Sequence, residues 1–277
     1  MMIVDAQVHI WGASTPERPW PARHQPHKPQ PITRDDLLKE MKAAGVDRVV
    51  IVPPSWEGER NDLALAAAQA HPGKFAVMGR FDPEDSANRG LLATWRKQPG
   101  MLGLRFTVHR PTLRPLLTEG KLDWLWPEAE KHGVPIMTLT LHPDLHLIDK
   151  VAERHPALKL VIDHLGLHHG KDEEAFAGLD QLVALARRPN IAVKASCLPF
   201  FTADAYPYRK LHPHIRKVYD AFGPKRMFWG SDLSRLPCSY RQCVTLFTEE
   251  LPWLSGRDLD LVMGEALCAW WGWDRTA

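Results

Sequence analysis

The chain has 277 residues, 44% of them hydrophobic, which is long enough for one sizeable core and fits an α/β barrel read as a single domain over 1–277. Lys+Arg is 35 and Asp+Glu is 33, a formal charge of +2, so no charge asymmetry points to nucleic acid or an anionic membrane surface. No apolar run reaches transmembrane length and residues 1–20 lack a leader pattern, so a cytoplasmic protein without a membrane partner is expected.

The first strand is predicted over 2–8, inside "IVDAQVHIWG". Period-2 geometry puts Gln7 and His9 on one side of it. The Pro-rich stretch 13–31 follows as a long loop, expected over the mouth of a barrel. Further strands are predicted near 47–52, 75–80, 101–106, 135–141, 158–163, 190–196 and 226–231. Their nearly continuous apolar runs suit parallel strands covered by helices. Between them, "TRDDLLKEMKAAG" reads as a helix capped by Thr33 and closed by Gly45. "GKLDWLWPEAEKHG" ends at another glycine, "PDLHLIDKVAERHP" carries Leu145, Ile148 and Ala152 on one stripe, and "DEEAFAGLDQLVALARRP" reads as one helix with acids first and arginines last. Eight strands alternating with helices predict a (β/α)8 barrel. An open doubly wound sheet is the alternative, disfavoured because no GxGxxG follows the first strand.

Strand after strand ends in a group capable of chemistry. Gln7 and His9 end the first, Arg105 the fourth, His142 the fifth, His164 the sixth, Lys194 the seventh and Asp232 the eighth. Each alone has a plain structural explanation, such as a helix cap for Asp232. Together they converge on one rim of a barrel. His109, Arg110, Arg235, Trp11 and the "AYPYRKLH" segment with Tyr206, Tyr208 and Arg209 rank second. The four cysteines form no CxxC and are expected as buried thiols, Cys197 included. The "AWWGW" segment packs on the barrel or on a neighbouring subunit, which admits a homo-oligomer.

"VDAQVHIW", "GLRF", "LVIDHLG", "IAVKAS", "FGPKRMFWGSD" and a final "LVMGEALCAWWGW" helix resemble the amidohydrolase-2 branch of the amidohydrolase superfamily, above all its lactonase-like members. The resemblance implies a hydrolase that opens a small, anionic lactone or related carboxylated ring. Asp232 would act as base on water, and His9 and His164 would contact substrate or, with Asp232, bind a metal. Arg105 would hold a carboxylate, with Gln7, His142 and Lys194 as further substrate contacts. The family's first-strand motif is His-x-His, and here Gln7 stands in the first position. An amide is a poor zinc ligand, so the expectation is metal-independent hydrolysis or one weakly held divalent ion, Zn or Mn, with His142 as an extra ligand. A metal-dependent decarboxylase or hydratase, or a catalytically silent ligand-binding barrel, are the alternatives.

Overall fold

The computed structural model describes residues 1–22, 25–167 and 170–274, so positions 23 and 24 of the Pro-rich stretch lie outside the described residues. Eight parallel strands form one sheet in sequential order. They are β1 (Val4–Val8), β2 (Arg48–Ile51), β3 (Phe75–Gly79), β4 (Met101–Thr107), β5 (Ile136–Leu139), β6 (Leu160–Ile162), β7 (Ile191–Ser196) and β8 (Met227–Gly230). The sheet curls back on itself just after β8: the Ser231 N–H donates to the Asp5 carboxylate at 2.9 Å and the Asp232 N–H to the Gln7 carbonyl at 3.0 Å. This is a (β/α)8 barrel; a doubly wound sheet would instead reverse its strand order. No described helix is long and apolar enough to cross a membrane.

Local chemistry fixes the helix ends. Thr33 and Asp36 form a reciprocal capping box at the start of helix Arg34–Ala44, and Gly45 closes it at φ 77. Such a cap is worth about 1 kcal/mol. Helix Leu145–Arg154 buries Leu145, Ile148, Val151 and Ala152 against the sheet, as its stripe predicts. The stretch 172–189 is not one helix. It breaks into Asp172–Phe176 and Leu179–Ala184 around Gly178. A Cβ on Gly178 would fall 2.4 Å from the His142 ring, so the break is where that imidazole is seated.

Two apolar layers divide the barrel wall. Val49, Ile51, Val77 and Leu104 face the outer helices. Val4, Ala6, Val50, Met78, Val161 and Phe228 face the interior, plugged at the N-terminal end by Leu267 and Trp271 of helix Ala266–Trp271. The "AWWGW" segment therefore packs on its own barrel. Higher up, the interior turns polar. On β1 the partners step from Asp5↔Val49 to Val8↔Ile51, so one extra residue is inserted. This bulge switches the phase: Val4 and Ala6 face in, whereas Val8 and Ile10 face out, which turns Gln7 and His9 inward. A second shift, Val77↔Met101 to Met78↔Gly103, does the same on β4 and turns Arg105 inward above Leu102. Bulges commonly re-aim side chains beside active sites.

Candidate active site

A buried ionic cluster forms the floor. Asp163 places Oδ1 2.8 Å from Lys194 Nζ and Oδ2 3.0 Å from Arg105 Nε, with the three side chains at most 8% exposed. Burial would raise the Asp163 carboxyl, but Lys194 and Arg105 outweigh it and hold the group below its ordinary value. Lys194 also donates to Gln7 Oε1. An ammonium only donates, so the amide NH2 faces the other way, toward His164 Nε2 at 3.2 Å and His9 Nε2 at 3.4 Å. Both imidazoles then receive at Nε2. Their Nδ1–H groups donate to the Val52 carbonyl at 2.6 Å (His9) and to Ser196 Oγ at 2.8 Å (His164).

Asp232 stands between those rings, with Oδ1 3.2 Å from His9 Nε2 and Oδ2 3.7 Å from His164 Nε2. Its backbone is left-handed (φ 51), as are those of His164 (φ 49) and Cys197 (φ 61). Non-glycine residues adopt this conformation at a cost of about 1–3 kcal/mol and often at functional sites. Here it turns the chain at the ends of β6, β7 and β8 so that His164 and Asp232 reach back over the barrel. Burial alone would raise the Asp232 carboxyl; His9 first, then His164 and His27, outweigh it and hold it well below 3.8. It is a carboxylate at neutral pH. Burial brings His164 down from 6.5 to about 4 against the pull of Asp232 and Asp163, so this ring is neutral. The Cys197 thiol is pushed up by burial and by Asp232, which leaves it an inert thiol.

The cavity above holds about 800 Å³ and is lined by Gln7, His164, Asp232, Arg105, Arg110 and Arg235, among others. Of the described part of the 13–31 stretch, His27 and Lys28 line it. Buried Glu57 anchors this loop by accepting from the Gly12 N–H at 2.7 Å and from Arg18. The loop delivers His27, which sequence reasoning missed. Its Nδ1 lies 2.8 Å from Ser234 Oγ, and its ring meets Trp56 at 4.7 Å and His9 at 5.7 Å, edge to face. Burial, against the pull of Asp232 and with Arg235 adding to it, lowers its pKa to about 3, although part of the residue faces solvent. His9, His27 and Asp232 each present one ligand atom within 4.8 Å of the others. Two imidazoles and a carboxylate are a donor set that suits a divalent ion of zinc type.

The structure therefore gathers Gln7, His9, Arg105, His164 and Asp232 at one place, and His109, Arg110 and Arg235 line the same cavity. Two expected substrate contacts do not line it. His142 donates from Nε2 to the Leu165 carbonyl at 3.0 Å. Met137 belongs to the interior cluster, and Leu139 and Leu141 line the cavity, so His142 is out of phase and points outward. Lys194 is fully buried beneath the floor, committed to Asp163 and Gln7. Nor does His142 belong to the three-residue ligand cluster. Trp11 packs against Trp56 at 5.3 Å, and the Tyr206 hydroxyl engages Thr245 and Glu250; both serve the scaffold.

Comparison with known proteins agrees with this architecture. The chain is 29% identical over 250 residues to L-fucono-1,5-lactonase of Burkholderia ambifaria, covering 84% of this chain and 81% of that one. It is 26% identical over 235 residues to 4-sulfomuconolactone hydrolase of Hydrogenophaga intermedia, covering 82% and 73%. A Burkholderia multivorans amidohydrolase solved with bound zinc superposes with a TM-score of 0.80 at 20% identity over 98% of this chain and 99% of that one. The amidohydrolase family model matches residues 4–269, nearly the whole barrel, and the chain accordingly belongs to the amidohydrolase family.

Proposed function

We propose that the protein opens a small lactone bearing an acidic group, with Asp232 as general base. The observation that carries this reading is one buried carboxylate, flanked by two imidazoles, at the floor of a cavity walled by Arg105, Arg110 and Arg235. Burial and then the cations Arg105, Arg80 and Arg235 depress the Arg110 guanidinium, so this wall favours an anion. Arg105 and Arg110 orient the acidic substituent by charge-assisted contacts. Arg105 already gives Nε to Asp163 and Nη1 to Thr107, so its remaining Nη donors are the ones left for a substrate.

Asp232 removes a proton from water as the oxygen attacks the lactone carbonyl. The ring C–O bond then breaks, and the same proton passes from Asp232 to the departing alkoxide. His9 and His164 flank Asp232 and position it. His164 is not an oxyanion donor, because its Nε2 receives from Gln7 and its Nδ1 faces Ser196. A divalent ion held by His9 and Asp232, when bound, would polarise the carbonyl.

The names of both lactone-hydrolysing relatives support the reaction class. Acid release from a panel of lactones with and without acidic substituents tests it. Turnover of the acid-bearing members is expected. Turnover confined to neutral sugar lactones, or CO2 release from aromatic acids instead, would overturn it.

A further inference from the structure

Ligand atoms of His9, His27 and Asp232 converge at the top of the barrel, all within 4.8 Å of one another. His9 donates from Nδ1 to the Val52 carbonyl, an acceptor only, so Nε2 is the atom this ring can offer a cation. His9 Nε2 lies 3.2 Å from Asp232 Oδ1, and this buried oxygen accepts no hydrogen bond among the described residues. Two such atoms repel at that distance unless positive charge lies between them. His27 completes the group, bringing a third ligand atom within 4.8 Å of the other two. A proton on His9 would serve one pair of these atoms and leave His27 without a part; a divalent cation serves all three.

Gln7 explains why the set is this one. Its amide oxygen is turned to Lys194, and its NH2 lies closer to His164 Nε2, at 3.2 Å, than to His9 Nε2, at 3.4 Å. The His164 lone pair is thereby spent, and His164 lies outside the three-residue cluster. The lock is firm because Lys194 is itself held by Asp163 at 2.8 Å with both side chains fully buried. In contrast, both ring anchors needed by a ligating pair are present: the Val52 carbonyl on His9 and the Ser234 hydroxyl on His27. Outer partners of this kind fix the tautomer and the angle of metal-bound imidazoles.

We propose that His9, His27 and Asp232 hold one divalent cation of zinc-like preference, and that the loop imidazole of His27 supplies the ligand that the amide of Gln7 does not. His164 is thereby reassigned from the metal to the Gln7 amide. The inference is independent of the substrate, since metal binding is read without turnover.

The test uses chelator-stripped full-length protein, titrated with Co2+ by visible absorption and with Zn2+ by calorimetry. Wild type is expected to bind one equivalent. His27→Ala changes a partly exposed loop residue, and circular dichroism verifies its fold. This variant is expected to lose roughly 100-fold or more in Zn2+ affinity, while His164→Gln stays within roughly threefold of wild type. Wild-type affinity in His27→Ala, loss of affinity in His164→Gln alone, or no cobalt taken up by wild type would each overturn the proposal.

Discussion

Exchanging Asp163 for asparagine keeps the side-chain shape and removes the one negative charge on which two buried cations depend. Lys194 Nζ lies 2.8 Å from Oδ1 and Arg105 Nε 3.0 Å from Oδ2, in a region where the ammonium and the carboxylate are fully buried. Deleting one member of a buried ionic cluster costs about 3–5 kcal/mol, because the partner is left charged and dry. That is a large part of the roughly 5–15 kcal/mol of a typical domain. Urea unfolding of Asp163→Asn should show this loss as a shifted midpoint. Adding Lys194→Met removes one stranded cation and should recover at least about 1 kcal/mol. A loss below about 1 kcal/mol in the single variant, or a double variant no more stable than the single one, would refute the ionic floor.

Three further outcomes are expected. His164 has a folded-state pKa of about 4 against an ordinary 6.5. Between those values the unfolded chain binds the extra proton, so metal-free protein should lose up to about 3 kcal/mol as pH falls through this window; thermal unfolding of wild type against His164→Gln reads the difference, and parallel pH profiles would contradict it. Gly178→Ala places a Cβ 2.4 Å from the His142 ring and should destabilise by about 1–3 kcal/mol in urea, whereas an unchanged midpoint would mean that the helix break has another cause. Arg110→Ala should raise KM for acid-bearing lactones roughly tenfold with kcat little changed, and an equal rise for neutral lactones would argue against an anion contact.

The strand order and most boundaries were readable because apolar runs, caps and glycines act locally. Thr33 and Gly45 are examples: each needs only its neighbours in sequence. The shared face of Gln7 and His9 also followed from strand periodicity. What periodicity alone does not reveal is the bulge before them, which decides that this face is the interior. His142 was misplaced for a related reason, since a strand-end histidine one residue out of phase with Leu139 and Leu141 faces the helices. Gly178 inside "AFAGLD" was a visible sign of the broken helix. His27 lay hidden because a Pro-rich loop has no period, and its position depends on Ser234 and Trp56, both distant in sequence. Lys194 shows the remaining limit: its strand end was correct, but only the fold reveals that Asp163 and Gln7 consume its donors.

The most direct measurement of the hydrolytic account is kcat/KM of Asp232→Asn on an acid-bearing lactone that wild type turns over, alongside its unfolding midpoint. The account predicts a loss of roughly 100-fold or more, since general-base catalysis contributes on that scale, in a protein that still unfolds cooperatively. Turnover within a few-fold of wild type would contradict it.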